Sequence, residues 1–206
     1  MEQWLLGRGL PVKRLLNNLW IDGGLSFDGA PTILLNGHID TVKPAAGYTR
    51  DPYKAAEEGD VIYGLGTNDD GASVVALLGA FLELTSRPQP YRLVWSATAE
   101  EEVCGTGGIE AIVPIVGPVD LGIIGEPTGM QMAVAEKGLL VLDCTARGVS
   151  GHAARGEGVN ALYKALDDIN WIRNHQCEKV SPYLWPVKMT ATMISCGSQH
   201  NVVPDT

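Results

Sequence analysis

The segment TILLNGHID, Thr32 to Asp40, decides how the chain is read. It begins as a short apolar run of strand formers and is broken by Gly37. A run of that length, closed by a turn residue, reads as a buried strand over 32–36. His38 and Asp40 follow two residues apart, on one side of an extended backbone. The strand therefore carries a histidine and an aspartate at its carboxyl end. In open α/β sheets ligands bind beyond that end.

The same logic extends outward. Residues 71–85, GASVVALLGAFLELT, have apolar side chains at 74, 77, 78, 81 and 82, a helical face. YRLVWSAT (91–98) reads as a strand, GIEAIV (108–113) as a short helix and DLGIIG (120–125) as another buried strand. Residues 1–11 read as the last turns of a helix, with Trp4, Leu5 and Leu6 inward and Gly9 and Pro11 as its stop. Trp4, Trp20 and Trp95 are assigned to the core. Strands alternating with helices predict an α/β domain on a largely parallel sheet, over 1–137. Beyond it, 138–148 and 187–197 alternate in polarity, with Val187, Met189, Ala191 and Met193 on one face of the latter. Residues 158–174 form an amphipathic helix. A second, α+β domain on an antiparallel sheet is expected over 138–206.

Composition narrows the partners. The chain has 206 residues, 45% hydrophobic, and a net charge of -9. That charge argues against binding a phosphate backbone, which needs a basic face. No run is long enough for a membrane span, and no leader peptide is visible, so a cytoplasmic protein is expected. Cys104, Cys144, Cys177 and Cys196 are widely spaced and read as reduced thiols.

Four polar turns fall at one edge of the expected sheet: GHID, GTNDDG (66–71), AEEE (99–102) and GEPT (125–128). Together they bring His38, Asp69, Glu101, Glu102 and Glu126, with no lysine or arginine among them. Carboxylates gathered in a cleft repel and raise one another's pKa. A divalent cation removes that cost. Imidazole plus carboxylate without thiolate suits zinc, with cobalt or manganese as substitutes. Asp40 can accept the second N–H of a metal-holding His38 and fix its tautomer. One aspartate can also bridge two metals.

In order, GHID, YGLGTNDDGAS, TAEEE, GEPT, GVSGHAARGEGVNAL and NVVPDT resemble the motifs of the di-zinc aminoacylase and carboxypeptidase family. That family includes acetylornithine deacetylase and succinyl-diaminopimelate desuccinylase. The likeness covers nearly the whole chain. It implies a zinc hydrolase catalytic domain, incomplete here, followed by an incomplete lid and dimerisation domain. It implies that His38, Asp69 and Glu126 hold the first zinc, and that Asp69 and Glu102 hold the second. Glu101 would be the general base and Asp40 the residue orienting His38. His152 would reach from the lid of a homodimer partner to steady the oxyanion, and Asn201 is a candidate substrate contact. The substrate implied is an N-acyl amino acid, N-acetylornithine first, then N-succinylornithine or N-acetylcitrulline. DDGAS replaces the DMKGG of many members, so a lysine is lost and Asp70 adds an acid. Relatives are expected to extend beyond both ends of this chain and to supply the last histidine ligand from the tail. His175 and His200 are the remaining histidines, both in the second domain. The rival expectations are a truncated, inactive relative that binds metal or dimerises, and a non-enzymatic acidic α/β module.

Overall fold

The structure, a computed structural model, describes residues 1–24 and 27–206. It divides into two compact units, Met1–Gln131 and Met132–Thr206. The first opens with the short helix α1 (Glu2–Leu6), then strands β1 (Lys13–Leu15), β2 (Asn18–Asp22) and β3 (Thr32–His38). A hairpin of β4 (Ala56–Glu58) and β5 (Val61–Tyr63) precedes a tight helical turn at Thr67–Gly71. Helix α2 (Ala72–Thr85), strand β6 (Arg92–Thr98), helix α3 (Ile109–Val116) and strand β7 (Leu121–Ile124) complete it.

The five-stranded sheet has the order β1-β2-β6-β3-β7. Strand β3 runs parallel to both β6 and β7, as the alternating pattern predicted. The register aligns Asn36 with Ser96 and His38 with Thr98, so both strands end at one edge. Strand β2 adds antiparallel to β6, and β1 to β2, which makes the sheet mixed. That hairpin was not foreseen. Its turn, Leu16–Asn17, has no glycine or proline, although Leu16 has φ 54°.

The core lies on both faces of the sheet: α2 covers one, where Val74 packs with Trp95, and α3 covers the other, where Ile112 and Val116 pack with Val94. Val74, Val94 and Trp95 are wholly buried, and the Trp95 indole N–H donates to the Val74 carbonyl at 3.3 Å. Each large apolar side chain so buried contributes about 1.5–3 kcal/mol. Trp20 and Trp95 are in the core as expected, but Trp4 is not. Leu5 takes the inward position; Trp4 and Leu6 are exposed, and the Arg8 guanidinium lies 3.5 Å from the Trp4 ring centre. One turn of helix buries a single residue, so three neighbours could not all face inward.

Strand β7 also departs from expectation. All four of its residues are exposed. Its apolar run correctly marked a strand, but it pairs on one side alone, with β3.

In the second unit, helix α4 (Ala161–Asn174) is capped by Asn160, whose side chain accepts from the amides of Leu162 and Tyr163. Strands β8 (Gly151–His152) and β9 (Val202–Val203) form a short antiparallel ladder. The expected strands at 138–148 and 187–197 join no ladder among the described residues and are largely exposed. Alternating polarity marks a face, but a strand forms only against a partner that takes its backbone bonds. Among the described residues no helix is long and apolar enough to cross a membrane.

Candidate metal centre

The carboxyl ends of β3, β6 and β7 build one cluster. His38 closes β3 and is 2% exposed. Its backbone amide donates to Asp70 Oδ2 at 3.1 Å, and the Ile39 amide donates to the Thr98 carbonyl at 2.7 Å. The imidazole is therefore fixed by backbone on both sides. Gly37 has to be glycine: a Cβ there would lie 2.6 Å from Asp70 Oδ2 and 2.8 Å from Val74 Cγ2. Below it, Asn36 Oδ1 accepts from Ser96 Oγ (2.7 Å) and Thr98 Oγ1 (3.2 Å), a buried polar ladder that locks β3 to β6.

Around the ring stand acids. Nδ1 donates to the Asp40 carbonyl at 3.0 Å and lies 3.5 Å from Asp40 Oδ1. Nε2 is 2.9 Å from Asp69 Oδ1 and 4.0 Å from both Glu101 Oε2 and Glu126 Oε1. With Nδ1 donating and Nε2 facing acids alone, Nε2 must hold a proton or, in its place, a cation. Burial works against the charged ring, yet the hydrogen bonds to Asp40 and Asp69 and the charges of Glu101 and Glu126 outweigh it. The His38 pKa is raised. Burial also raises that of Glu126, helped by Asp70, Glu101 and Asp69 and opposed by His38.

In the loop after β6 the three glutamates stand differently. Glu100 folds back on its own loop and accepts the Gly107 amide at 2.9 Å. Glu101 and Glu102 donate their backbone amides to Asp40 Oδ1 and Oδ2, both at 3.2 Å. Asp40 thus holds His38 through its backbone carbonyl, not through its carboxylate as the sequence suggested, while the carboxylate holds the loop bearing the next two acids. Glu126 is set by the Gly125 amide bonding the Asn36 carbonyl at 2.8 Å.

The ligand atoms of His38, Asp69 and Glu102 lie within 4.8 Å of one another, as do those of His38, Glu101 and Glu126. The resemblance implied His38, Asp69 and Glu126 for one ion and Asp69 with Glu102 for a second; in the structure Asp69 Oδ1 and Glu126 Oε1 lie 2.9 and 4.0 Å from His38 Nε2. Like carboxylates repel, so they distribute around the single imidazole. The donor set, one imidazole and hard carboxylate oxygens without thiolate or cationic neighbour, fits a divalent cation of the zinc type. A cleft of about 380 Å³ lies between residues 47–50 and β5 and reaches Thr67, two residues before Asp69. Its cation, Arg50, is spent on Glu58 and stacks on Tyr63 at 3.8 Å.

His152 and Asn201 belong to the second unit, where the Ala153 amide donates to the Asn201 carbonyl at 3.1 Å. His152 is exposed, and its Nδ1 accepts the Ala154 amide at 3.2 Å. The neutral ring therefore keeps its proton on Nε2, a donor with no partner among the described residues. His175 is stacked on Trp171, with ring centres 4.4 Å apart. Sequence reasoning gave no role to Asp70, Asn36, Ser96 or Thr98. For Ser96 and Thr98 the signal was present: polar residues at alternate positions of an otherwise apolar strand.

The sequence profile of peptidase family M20/M25/M40 matches residues 34–198. The chain belongs to this family. Among M20/M25/M40 relatives, an acetylornithine deacetylase of Erwinia tasmaniensis is 34% identical over 156 residues, covering 72% of this chain and 40% of its own. A Pyrobaculum aerophilum protein, provisionally named a LysW-lysine/LysW-ornithine hydrolase, is 30% identical over 204 residues, 94% of this chain and 54% of its own. A succinyl-diaminopimelate desuccinylase of Paracoccus denitrificans is 27% identical over 192 residues, 86% of this chain and 50% of its own. The chain thus spans about half the length of the curated relatives it matches. Among solved structures, a tripeptidase from Staphylococcus aureus superposes with a TM-score of 0.58 at 19% identity, covering 99% of this chain and 56% of its own. That likeness supports the M20 fold and nothing finer.

Proposed function

We propose that this chain carries the metal-holding part of an amide hydrolase that removes a small acyl group from an N-acyl amino acid. The observation that carries the reading is the convergence of Asp69, Glu101, Glu102 and Glu126 on the single imidazole of His38. N-Acetylornithine is the first substrate to try, followed by N-succinylornithine and N-acetylcitrulline. The relatives named for deacetylation, desuccinylation and LysW-amino-acid hydrolysis support the reaction class and leave the acyl group open.

His38, Asp69, Glu102 and Glu126 would hold zinc. A bound divalent cation would polarise the amide carbonyl and make nearby water more acidic. Glu101 takes the proton from the attacking water and returns it to the leaving amine. Asp40 keeps His38 in one tautomer and holds the Glu101–Glu102 loop against it. His152, from a partner copy's lid, donates its Nε2 proton to the developing oxyanion. The test is release of ornithine from N-acetylornithine by zinc-loaded chain. Zinc retention without release would favour the inactive, metal-binding relative.

Zinc affinity depends on pH in a defined direction. His38 and Glu126 both have raised pKa values, so protons compete with the metal over a window above their ordinary ranges. Above the raised His38 value its proton is gone and affinity is level. Below that value affinity falls, by up to about tenfold per pH unit for each proton displaced. Titrations at pH 8 and pH 6 in non-coordinating buffer should show weaker binding at pH 6; equal affinities would contradict the competition.

The lid is expected to pair copies of the chain. Exposed apolar residues along 138–148 and 187–197, Leu139 to Leu142 among them, offer backbone and surface to a partner. Sedimentation at micromolar concentration should give a dimer; a clean monomer would leave His152 without a site to enter.

A further inference from the structure

We propose that Asn18 is a positioning residue: its buried carboxamide clasps both ends of the loop that carries Glu101 and Glu102, and so sets how those carboxylates meet the cation. The loop's purpose rests on the metal reading above; the clasp itself does not.

Asn18 begins β2 and is 0% exposed. Its Oδ1 accepts the Ala99 amide at 2.9 Å, and its Nδ2 donates to the Gly107 carbonyl at 2.7 Å. Ala99 follows β6 directly, and Gly107 stands just before α3. The two ends of one loop are therefore held by one planar group. The remaining bond, from Nδ2 to the Leu15 carbonyl at 3.1 Å, fixes the clasp to its own hairpin.

The loop needs such a hold. Glu100 (φ 64°) and Cys104 (φ 50°) both sit in the left-handed region, which side chains other than glycine adopt only when their surroundings impose it. Inside the loop, the Gly105 amide donates to the Glu100 carbonyl at 2.9 Å and the Cys104 amide to the Glu101 carbonyl at 3.0 Å. Those bonds give it a shape but do not fasten it to the sheet. Asp40 fastens the tip, through the Glu101 and Glu102 amides. Asn18 fastens the base. Its neighbours Leu19, Trp20 and Ile21 are apolar and buried, so an unbonded polar side chain there would be costly. Every bond Asn18 makes goes to a loop end or to its own hairpin. It touches no reacting group and acts only through the loop.

The test joins zinc binding to backbone hydrogen exchange in wild type, Asn18→Ala and Leu5→Ala. Leu5 is fully buried in the core and bonds nothing in the loop, so its truncation controls for lost stability. Asn18→Ala should bind zinc at least about tenfold more weakly than wild type, the scale of a lost supporting residue. Its amides over 99–108 should exchange at least about tenfold faster, while His38 keeps its protection. Leu5→Ala should keep wild-type zinc affinity. Unchanged affinity in Asn18→Ala, or an equal loss in Leu5→Ala, overturns the proposal. If Asn18→Ala does not fold, wild type decides: the Ala99 amide must exchange far more slowly than that of exposed Val103, and equal rates overturn the clasp. A wild type that binds no zinc sinks the metal reading instead, and the exchange comparison still judges Asn18.

Discussion

Glu101→Ala is expected to remove amide hydrolysis, by about 10²–10⁴-fold, while zinc stays bound. The two glutamates beside each other differ in what they are asked to do. Glu101 is the proposed proton carrier, and Glu102 the proposed ligand shared with Asp69. Glu100 is excluded from both roles because its carboxylate is bonded within its own loop. Losing the base leaves the donor set assigned to the metal intact, so turnover should fall without a matching loss of metal. Glu102→Ala should do the converse at the second ion. The pair of variants, assayed for ornithine release and for zinc content after dialysis, fixes the register of the three consecutive glutamates. Zinc lost from Glu101→Ala and kept in Glu102→Ala would show that the roles are exchanged.

His38→Ala should be more severe, because it removes the one imidazole on which both ligand groups depend. Tight zinc binding should disappear, with a loss well beyond the roughly 10–100-fold of a supporting residue. The fold should survive better than the site. The His38 amide bond to Asp70 and its strand pairing are backbone contacts that alanine keeps. What goes is a buried ring, at a cost on the order of a few kcal/mol. Circular dichroism should show a folded chain, and competition with a chromophoric chelator should show no tight zinc. A variant that holds zinc as wild type does would place the metal, if any, elsewhere.

The parallel half of the sheet was legible because TILLN and YRLVWSAT are apolar runs ended by polar turns, and helix 71–85 repeats apolar residues at helical spacing. The gathering of acids followed from one rule, that strand ends of an α/β sheet share an edge. The rest lay outside local pattern. The β1–β2 hairpin turns at Leu16–Asn17, residues with no turn signature, so nothing in NNLWID announced a strand antiparallel to β6. Which of the adjacent Asn17 and Asn18 is buried depends on a loop some eighty positions away. The exposure of β7 and of 138–148 is equally invisible, since periodicity reports a strand's faces and not its neighbours. At the site, sequence order supplied the residues, but which acids stand near one another around His38 is set by tertiary geometry. Hence Glu102 falls with Asp69, and Glu126 with Glu101.

The measurement closest to the central claim is a zinc titration of the chain against a competing chelator, run beside His38→Ala. The family resemblance gives the first ion three ligands, His38, Asp69 and Glu126, and the second only Asp69 and Glu102. The expected result is one tight equivalent, abolished by His38→Ala, and a second that binds far more weakly. No tight equivalent, or one that persists in His38→Ala, would contradict the account.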